Sequence, residues 1–305
     1  AKKSGAEAVK VQIHLPDEEM SEEAKRIKPG NSNTNIYEII KNNSLSLKDE
    51  KKLKKYIEKK KLIYIATPFS YKAAKWLNDN NLKIFKIGSG ECNNIPFIKY
   101  VCSFKKPMII STGMNSLESV KKTIRIVKKN KIPHAILHCI NLYPVDYKYI
   151  RLGRLNKMIQ TFKSSIIGYS DHSIGNTIPI AAMALGAKII EKHFVIEKNR
   201  RGPDITCSMD KIELKNLLAA SIKIHEAFCS NKEIIPEEDK TRKFAFHSVV
   251  SKKDINKNEV LSWKNLTTKR PGTGDFPSYK IYRLIGKKTK KYIKKNHLIK
   301  KQYIK

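Results

Sequence analysis

Ser165-Ile166-Ile167-Gly168-Tyr169 runs into Ser170-Asp171-His172, and after a helical interval Ala187-Lys188-Ile189-Ile190 runs into Glu191-Lys192-His193-Phe194. The first segment is short and apolar, as a buried strand is. Between them, Gly175 to Leu185 carries Ile178, Ala181, Ala182 and Leu185 at helical spacing and stops at Gly186, a C-terminal cap. The stretch 165–194 is therefore one strand, one helix and a second strand. In a right-handed unit of this kind both strands are parallel and their carboxyl ends share a rim. Neighbouring strands lie about 4.8 Å apart, so His172 and His193 would stand close enough to grip one ion, with Asp171 as a group to orient a ring. A divalent metal held by two histidines keeps open positions for water or substrate, which implies a catalytic role. Taken singly, each histidine is an ordinary loop residue; their matched placement carries the inference.

The same rhythm extends outward. Leu62 to Ala66 ends in Thr67-Pro68-Phe69-Ser70, and Lys83 to Ile87 ends in Gly88-Ser89-Gly90-Glu91. Pro107 to Ser111 ends in Thr112-Gly113-Met114-Asn115, and His134 to Cys139 leads to Asn141-Leu142-Tyr143-Pro144. Helical patterns begin near Tyr71, Pro96, Leu117 and Arg151, and Ser46 with Asp49 starts another that reaches about Lys60. Glu7 to His14 alternates, with Val9, Val11 and Ile13 on one side and Lys10, Gln12 and His14 on the other, which suits a barrel wall with a polar mouth. Seven parallel strands result, one short of a closed (β/α)8 TIM barrel, and the absent one would be the first. The chain opens Ala1-Lys2-Lys3-Ser4 as though a helix were already under way, so the expectation is a fragment that folds poorly. Leu15 to Asn35 is acidic and turn-rich and is expected to be a lid. A helix from about Asp210 to Phe228 would close the barrel. Residues 230–243 would then be a linker and 244–305 a small domain, with strands at Ser248 to Ser251 and Thr267 to Arg270.

Such barrels place their chemistry at the carboxyl ends of the strands. Lys10, Thr67, Lys86, Ser89, Ser111, Asn141 and Ser170 would ring that mouth. Two inward lysines with hydroxyls and an amide suit a small phosphate-bearing carboxylate, the cations meeting its charge and the donors its oxygens. Glu91 lies beside a glycine-lined turn, and Asp204 sits in the loop Arg200-Arg201-Gly202-Pro203-Asp204 over the same rim, a candidate for binding substrate hydroxyls.

The 305 residues carry 62 basic and 28 acidic side chains, a formal charge of +34. Nine of the 62 are arginine, and the lysines fall in helical runs such as 48–61 and 121–131, alternating with apolar residues as solvated faces do. No arginine-aromatic groove accompanies them, so nucleic-acid binding is disfavoured. The five cysteines form no paired spacing, which excludes a disulfide framework and a zinc site and fits the cytoplasm. No apolar run is long enough to span a bilayer.

The stretches 86–94 (Lys86-Ile87-Gly88-Ser89-Gly90-Glu91-Cys92-Asn93-Asn94), 111–115, 168–172, 191–194 and 201–204, with Lys269-Arg270-Pro271-Gly272, resemble the bacterial sialic acid synthases in order and spacing across the chain. The resemblance implies a barrel followed by an antifreeze-like (SAF) domain, in a homodimer whose small domains each cover the partner's active site. It implies a metal-dependent transferase, N-acetylneuraminate synthase, that condenses phosphoenolpyruvate with N-acetylmannosamine and releases phosphate. By position, His172 and His193 would hold a divalent metal, typically manganese, with magnesium or cobalt as alternatives. Lys10, Thr67, Lys86, Ser89, Ser111, Asn141 and Ser170 would bind phosphoenolpyruvate. Gln12, Glu91, Tyr143 and Asp204 would meet the sugar, with Phe244 and Arg270 reaching in from the neighbouring subunit, and Glu91 would handle a proton there. The family's first strand, with an inward glutamate, has no counterpart. A synthase for a related acid such as legionaminic acid, and a non-catalytic basic protein, are the rival readings.

Overall fold

The computed structural model describes residues 1–29, 33–200, 202, 204–229 and 234–305. Residues 30–32 of the expected lid, Arg201 and Pro203 of the family motif, and 230–233 of the expected linker lie outside the described residues. The chain divides into two compact units, Ala1–Cys229 and Ser230–Lys305.

Among the described residues of the first unit, seven strands form one parallel sheet in sequence order: β1 Ala8–Ile13, β2 Ile63–Pro68, β3 Ile84–Ile87, β4 Met108–Ser111, β5 His134–Cys139, β6 Ile166–Asp171 and β7 Ile190–Lys192. Helices connect them: α1 Pro16–Glu19, α2 Ile36–Asn43 and α3 Leu47–Lys59 after β1, then α4 Tyr71–Asp79, α5 Ile95–Ser103, α6 Leu117–Lys129, α7 Leu152–Thr161, α8 Thr177–Ala184 and α9 Lys211–Phe228. Sequence chemistry sets their starts. Ser46, Ser70, Asn94 and Ser116 each accept a backbone N–H three residues on, and Asp210 with Glu213 forms a reciprocal capping box. Apolar faces of strands and helices meet in one core that includes Tyr64, Phe85, Phe97, Ile110, Ile136 and Tyr169.

A flat sheet of seven strands would hold β1 and β7 about 29 Å apart. Here the Lys10 Nζ of β1 lies 3.7 Å from the Glu191 Oε1 of β7, so the sheet is curled until its edges face each other across the strand ends. This is a TIM-barrel sheet of seven strands, and the curl is what gathers the site.

Three local expectations change. The last strand begins at Ile190 rather than Ala187, pairing Tyr169, Ser170 and Asp171 with Ile190, Glu191 and Lys192. Glu191 and Lys192 are thus strand residues with fixed and opposite directions, not loop residues. Helix α2 adds to the expected elements: within a polar stretch, its Asn35 cap and Tyr37, whose hydroxyl donates to Asp17 at 2.6 Å, anchor it. Part of the expected lid is tied down: Glu18 pairs with Lys72 at 2.7 Å and Glu19 accepts from His14 at 2.8 Å.

The second unit holds a short helix, α10 Asp239–Ala245, and an antiparallel pair, β8 Ser248–Ser251 with β9 Leu266–Lys269, around a core of Val249, Ile255, Leu261, Leu284, Ile293 and Ile299.

Candidate active site

Strand ends β1 to β7 surround a cavity with about 650 Å³ of open space. Every barrel residue named above as a site candidate lines it: Lys10, Gln12, Thr67, Lys86, Ser89, Glu91, Ser111, Asn141, Tyr143, Ser170, His172, His193 and Asp204. Alternation explains the selection, since residues two apart on a strand share a face: Lys10 with Gln12, Ser170 with His172, Glu191 with His193.

At one end two lysines meet one carboxylate. Lys86 is 2 % exposed; its ammonium donates to Ser111 Oγ at 2.7 Å and to the Ile87 carbonyl at 3.2 Å, and stands 3.7 Å from Glu191 Oε2. Glu191 also accepts from Ser170 Oγ at 3.1 Å and faces Lys10. Burial raises the Glu191 carboxyl, but Lys86 and Lys10 together outweigh it and bring it down to about 2. Burial, reinforced by Lys10, lowers the Lys86 ammonium against the pull of Glu191. Two lysines thus face a single carboxylate, an arrangement open to an anion. Thr67 Oγ1 is buried without a partner among the described residues, and Ser89 Oγ accepts from the Gly113 amide at 3.0 Å. Gly113 leaves room for the Asn141 amide: a Cβ there would overlap Asn141 Oδ1 and come within 2.9 Å of Ser89 Oγ, displacing the amide from its place in the cavity.

At the other end the imidazoles of His172 and His193 stand with centroids 5.4 Å apart, and Tyr143 packs against His172 at 4.0 Å. His172 donates its Nδ1–H to the Ile140 carbonyl at 2.7 Å, which leaves Nε2 as the free lone pair. Burial lowers His172 to about 4 and lowers His193 as well, so both rings are neutral. Asp204 Oδ2 is 3.5 Å from His193 Nδ1. Two neutral imidazoles bordering one cavity fit a divalent ion. No group of three His, Cys, Asp or Glu donors occurs among the described residues, so further ligands would be water or substrate, as at a catalytic site.

Two corrections concern neighbours of these rings. Asp171 does not orient a histidine: its carboxylate accepts from Ser173 N and Oγ and from Lys192 Nζ, because its strand position points it away from Ser170 and His172. Asp204 takes that place beside His193. Glu191, which closes the lysine cluster, is not among the expected site residues; strand parity places it on the same face as His193, two positions on.

Glu91 borders the cavity, and its Oε2 is buried without a partner among the described residues. Burial raises its carboxyl above the usual range, which suits a group that holds a proton. Phe244 and Arg270 belong to the second unit, where the guanidinium lies 5.3 Å from the Phe244 ring and Nε donates to the Ala245 carbonyl at 3.1 Å.

The sequence matches the NeuB family over residues 1–233 and the SAF domain over residues 246–304. It is 35 % identical, over 97 % of its length and 90 % of the relative's, to N,N'-diacetyllegionaminic acid synthase of Campylobacter jejuni. It is 31 % identical, over 78 % of its length and 67 % of the relative's, to N-acetylneuraminate-9-phosphate synthase of Homo sapiens. The structure is similar to that of the N-acetylneuraminic acid synthetase of Leptospira borgpetersenii, with a TM-score of 0.71 and 28 % identity over 79 % of this chain and 81 % of that one. With a curled barrel sheet, a lysine cluster facing two histidines, and these matches along its length, the chain belongs to the NeuB family and carries a SAF domain.

Proposed function

We propose that this chain condenses phosphoenolpyruvate with the open-chain form of an N-acetylated amino sugar, N-acetylmannosamine in the first instance, and releases phosphate. What carries this reading is the convergence of Lys10 and Lys86 on one end of a cavity whose other end holds two neutral imidazoles. Lys10 and Lys86, with Thr67, Ser89, Ser111, Asn141 and Ser170, bind the phosphate and carboxylate of phosphoenolpyruvate. Glu191 stands within 3.7 Å of both Lys10 and Lys86 and holds their place until that anion arrives. Gln12, Tyr143 and Asp204 hold the sugar. A divalent ion between His172 and His193, manganese with magnesium or cobalt as alternatives, would supply Lewis-acid polarisation of the sugar carbonyl.

The methylene carbon of phosphoenolpyruvate bonds to the aldehyde carbon, and Glu91 delivers a proton to the aldehyde oxygen. Water adds to the resulting cationic carbon and gives up one proton to the Glu91 carboxylate, restoring it, so that a hydroxyl is left on that carbon. The hydroxyl so formed loses its proton as the C–O bond to phosphate breaks, and the departing phosphate takes that proton. A ketone of nine carbons remains.

The higher identity to the Campylobacter protein favours a second reading, a sugar with two acetamido groups. We further take 230–243 as a linker and 244–305 as a domain that covers the active site of a second copy with Phe244 and Arg270, and we place the protein in the cytoplasm, where its free cysteines stay reduced. Among the described residues no helix is long and apolar enough to cross a membrane.

The test is phosphate release from phosphoenolpyruvate with N-acetylmannosamine and with a diacetamido sugar, with and without manganese. Manganese-dependent release with one of them, with a nine-carbon product, is expected. No release with either sugar would overturn the proposal.

A further inference from the structure

Behind the two imidazoles, on the face of the sheet turned away from the cavity, lies a buried ion pair that the chemistry above does not use. Asp171 ends β6 and Lys192 ends β7; they are register partners, and each directly precedes a histidine that borders the cavity. Their side chains are 0 % and 2 % exposed. The Lys192 ammonium donates to Asp171 Oδ2 and, at 2.6 Å, to the Ser173 carbonyl. The Asp171 carboxylate in turn accepts from Ser173 N at 3.1 Å and Ser173 Oγ at 2.9 Å. One network therefore grips both neighbours of His172 and the residue before His193. Neither Asp171 nor Lys192 lines the cavity, so the pair acts on the rings through the backbone.

The two histidines differ in what fixes them. The His172 ring is bonded to the Ile140 carbonyl at 2.7 Å, and its own carbonyl accepts from the Val145 amide at 3.0 Å. The His193 carbonyl accepts from the Met209 amide at 2.8 Å, but its ring meets Asp204 only at 3.5 Å. The place of His193 thus depends on β7, a strand of three residues at the end of the sheet order. A slip of one residue along a neighbouring strand turns every side chain to the opposite face. Here it would bring Lys192 into the cavity and turn Glu191 and His193 out of it. A buried ion pair adds little net stability, because desolvation offsets the attraction, but its partners are satisfied in one register alone.

We propose that the Asp171–Lys192 pair is a register pin, which fixes β7 against β6 so that His193 stays beside His172. Asp171 and Lys192 are then positioning residues for the two-histidine site. This rests on the reading that those imidazoles hold a divalent ion.

The test uses the full chain with D171N/K192M, which removes both charges so that neither is left buried alone. Manganese binding is followed by electron paramagnetic resonance of the free ion, phosphoenolpyruvate binding by calorimetry, and β7 by amide hydrogen exchange of residues 190–195 in the metal-free protein. In the double variant manganese affinity should fall about tenfold or more, and phosphoenolpyruvate affinity, set mainly from strands other than β7, should stay within about threefold. Exchange across 190–195 should quicken. D171N alone, which leaves the lysine its bond to the Ser173 carbonyl, should move manganese affinity the same way and serves if the double variant does not fold. Manganese affinity equal to the wild type, or exchange across 190–195 equal to it, overturns the proposal. So does an equal fall in manganese and phosphoenolpyruvate affinity, which marks a general loss of structure. Absence of manganese binding in the wild type would instead overturn the metal reading, and the exchange result would still decide whether the pair pins β7.

Discussion

Replacing Lys86 with methionine separates what the lysine cluster does for stability from what it does for binding. At 3.7 Å, and with an effective dielectric of 20, the attraction between Lys86 and Glu191 is about 4.5 kcal/mol. Against it stands the cost of burying an ammonium that is 2 % exposed and has Lys10 as a like-charged neighbour, and the lowered position of Lys86 means that this cost prevails. Methionine fills the same channel without charge, and Glu191 keeps Lys10 at 3.7 Å. A buried carboxylate left with no cation would cost about 3–5 kcal/mol; because Glu191 retains Lys10, the unliganded protein should change in stability by no more than about 1 kcal/mol. Binding should suffer far more, since losing one buried charged contact to phosphoenolpyruvate costs about 3 kcal/mol, or about 150-fold in Kd. Thermal unfolding with and without phosphoenolpyruvate measures both. At a concentration of about 100 Kd the ligand adds about 2.7 kcal/mol to the wild type, raising Tm by about 5–11 °C for a unit of this size. The same concentration should leave K86M nearly unmoved. A K86M protein several kcal/mol less stable than the wild type, yet still shifted by phosphoenolpyruvate, would refute the reasoning.

Further outcomes follow from the same geometry. Glu191 is depressed from 4.5 to about 2, so its contribution is complete above about pH 4.5 and is lost as pH falls toward 2; denaturant titrations at pH 6 and pH 3 should differ by about 2 kcal/mol more in wild type than in E191Q. At Gly168 a Cβ would sit 2.5 Å from the Ile189 carbonyl oxygen and 2.5 Å from Leu137 Cδ2, so G168A should destabilise by about 2–3 kcal/mol in denaturant unfolding. At Gly113 the Cβ meets the movable Asn141 amide, so G113A should keep its Tm and weaken phosphoenolpyruvate about tenfold by calorimetry. H193A removes one of two imidazoles from a partly exposed position, and should lose manganese binding by calorimetry while the metal-free Tm stays within about 2 °C of wild type.

The sequence by itself determined the strand order and the helices from α3 to α9, though not α1 and α2, because period-two and helical patterns alternate from Glu7 to Phe228 with caps at Ser46, Gly186 and Asp210. It also determined which residues reach the mouth, since parity along a strand places Lys10 with Gln12 and Ser170 with His172 on one face. The same parity sends Asp171 to the opposite face, where its carboxylate meets Lys192. The tertiary structure alone decided that Lys10 and Glu191, on opposite edges of the sheet, meet at 3.7 Å, because curl is a property of the whole sheet and leaves no mark on either segment. It alone joined Glu19, His14 and Phe69 into one row, and tied the turn at Pro16–Glu19 to α4 through Lys72. Contacts between residues distant in the chain depend on packing that no local pattern encodes, whereas the face a side chain takes follows from backbone geometry a few residues long.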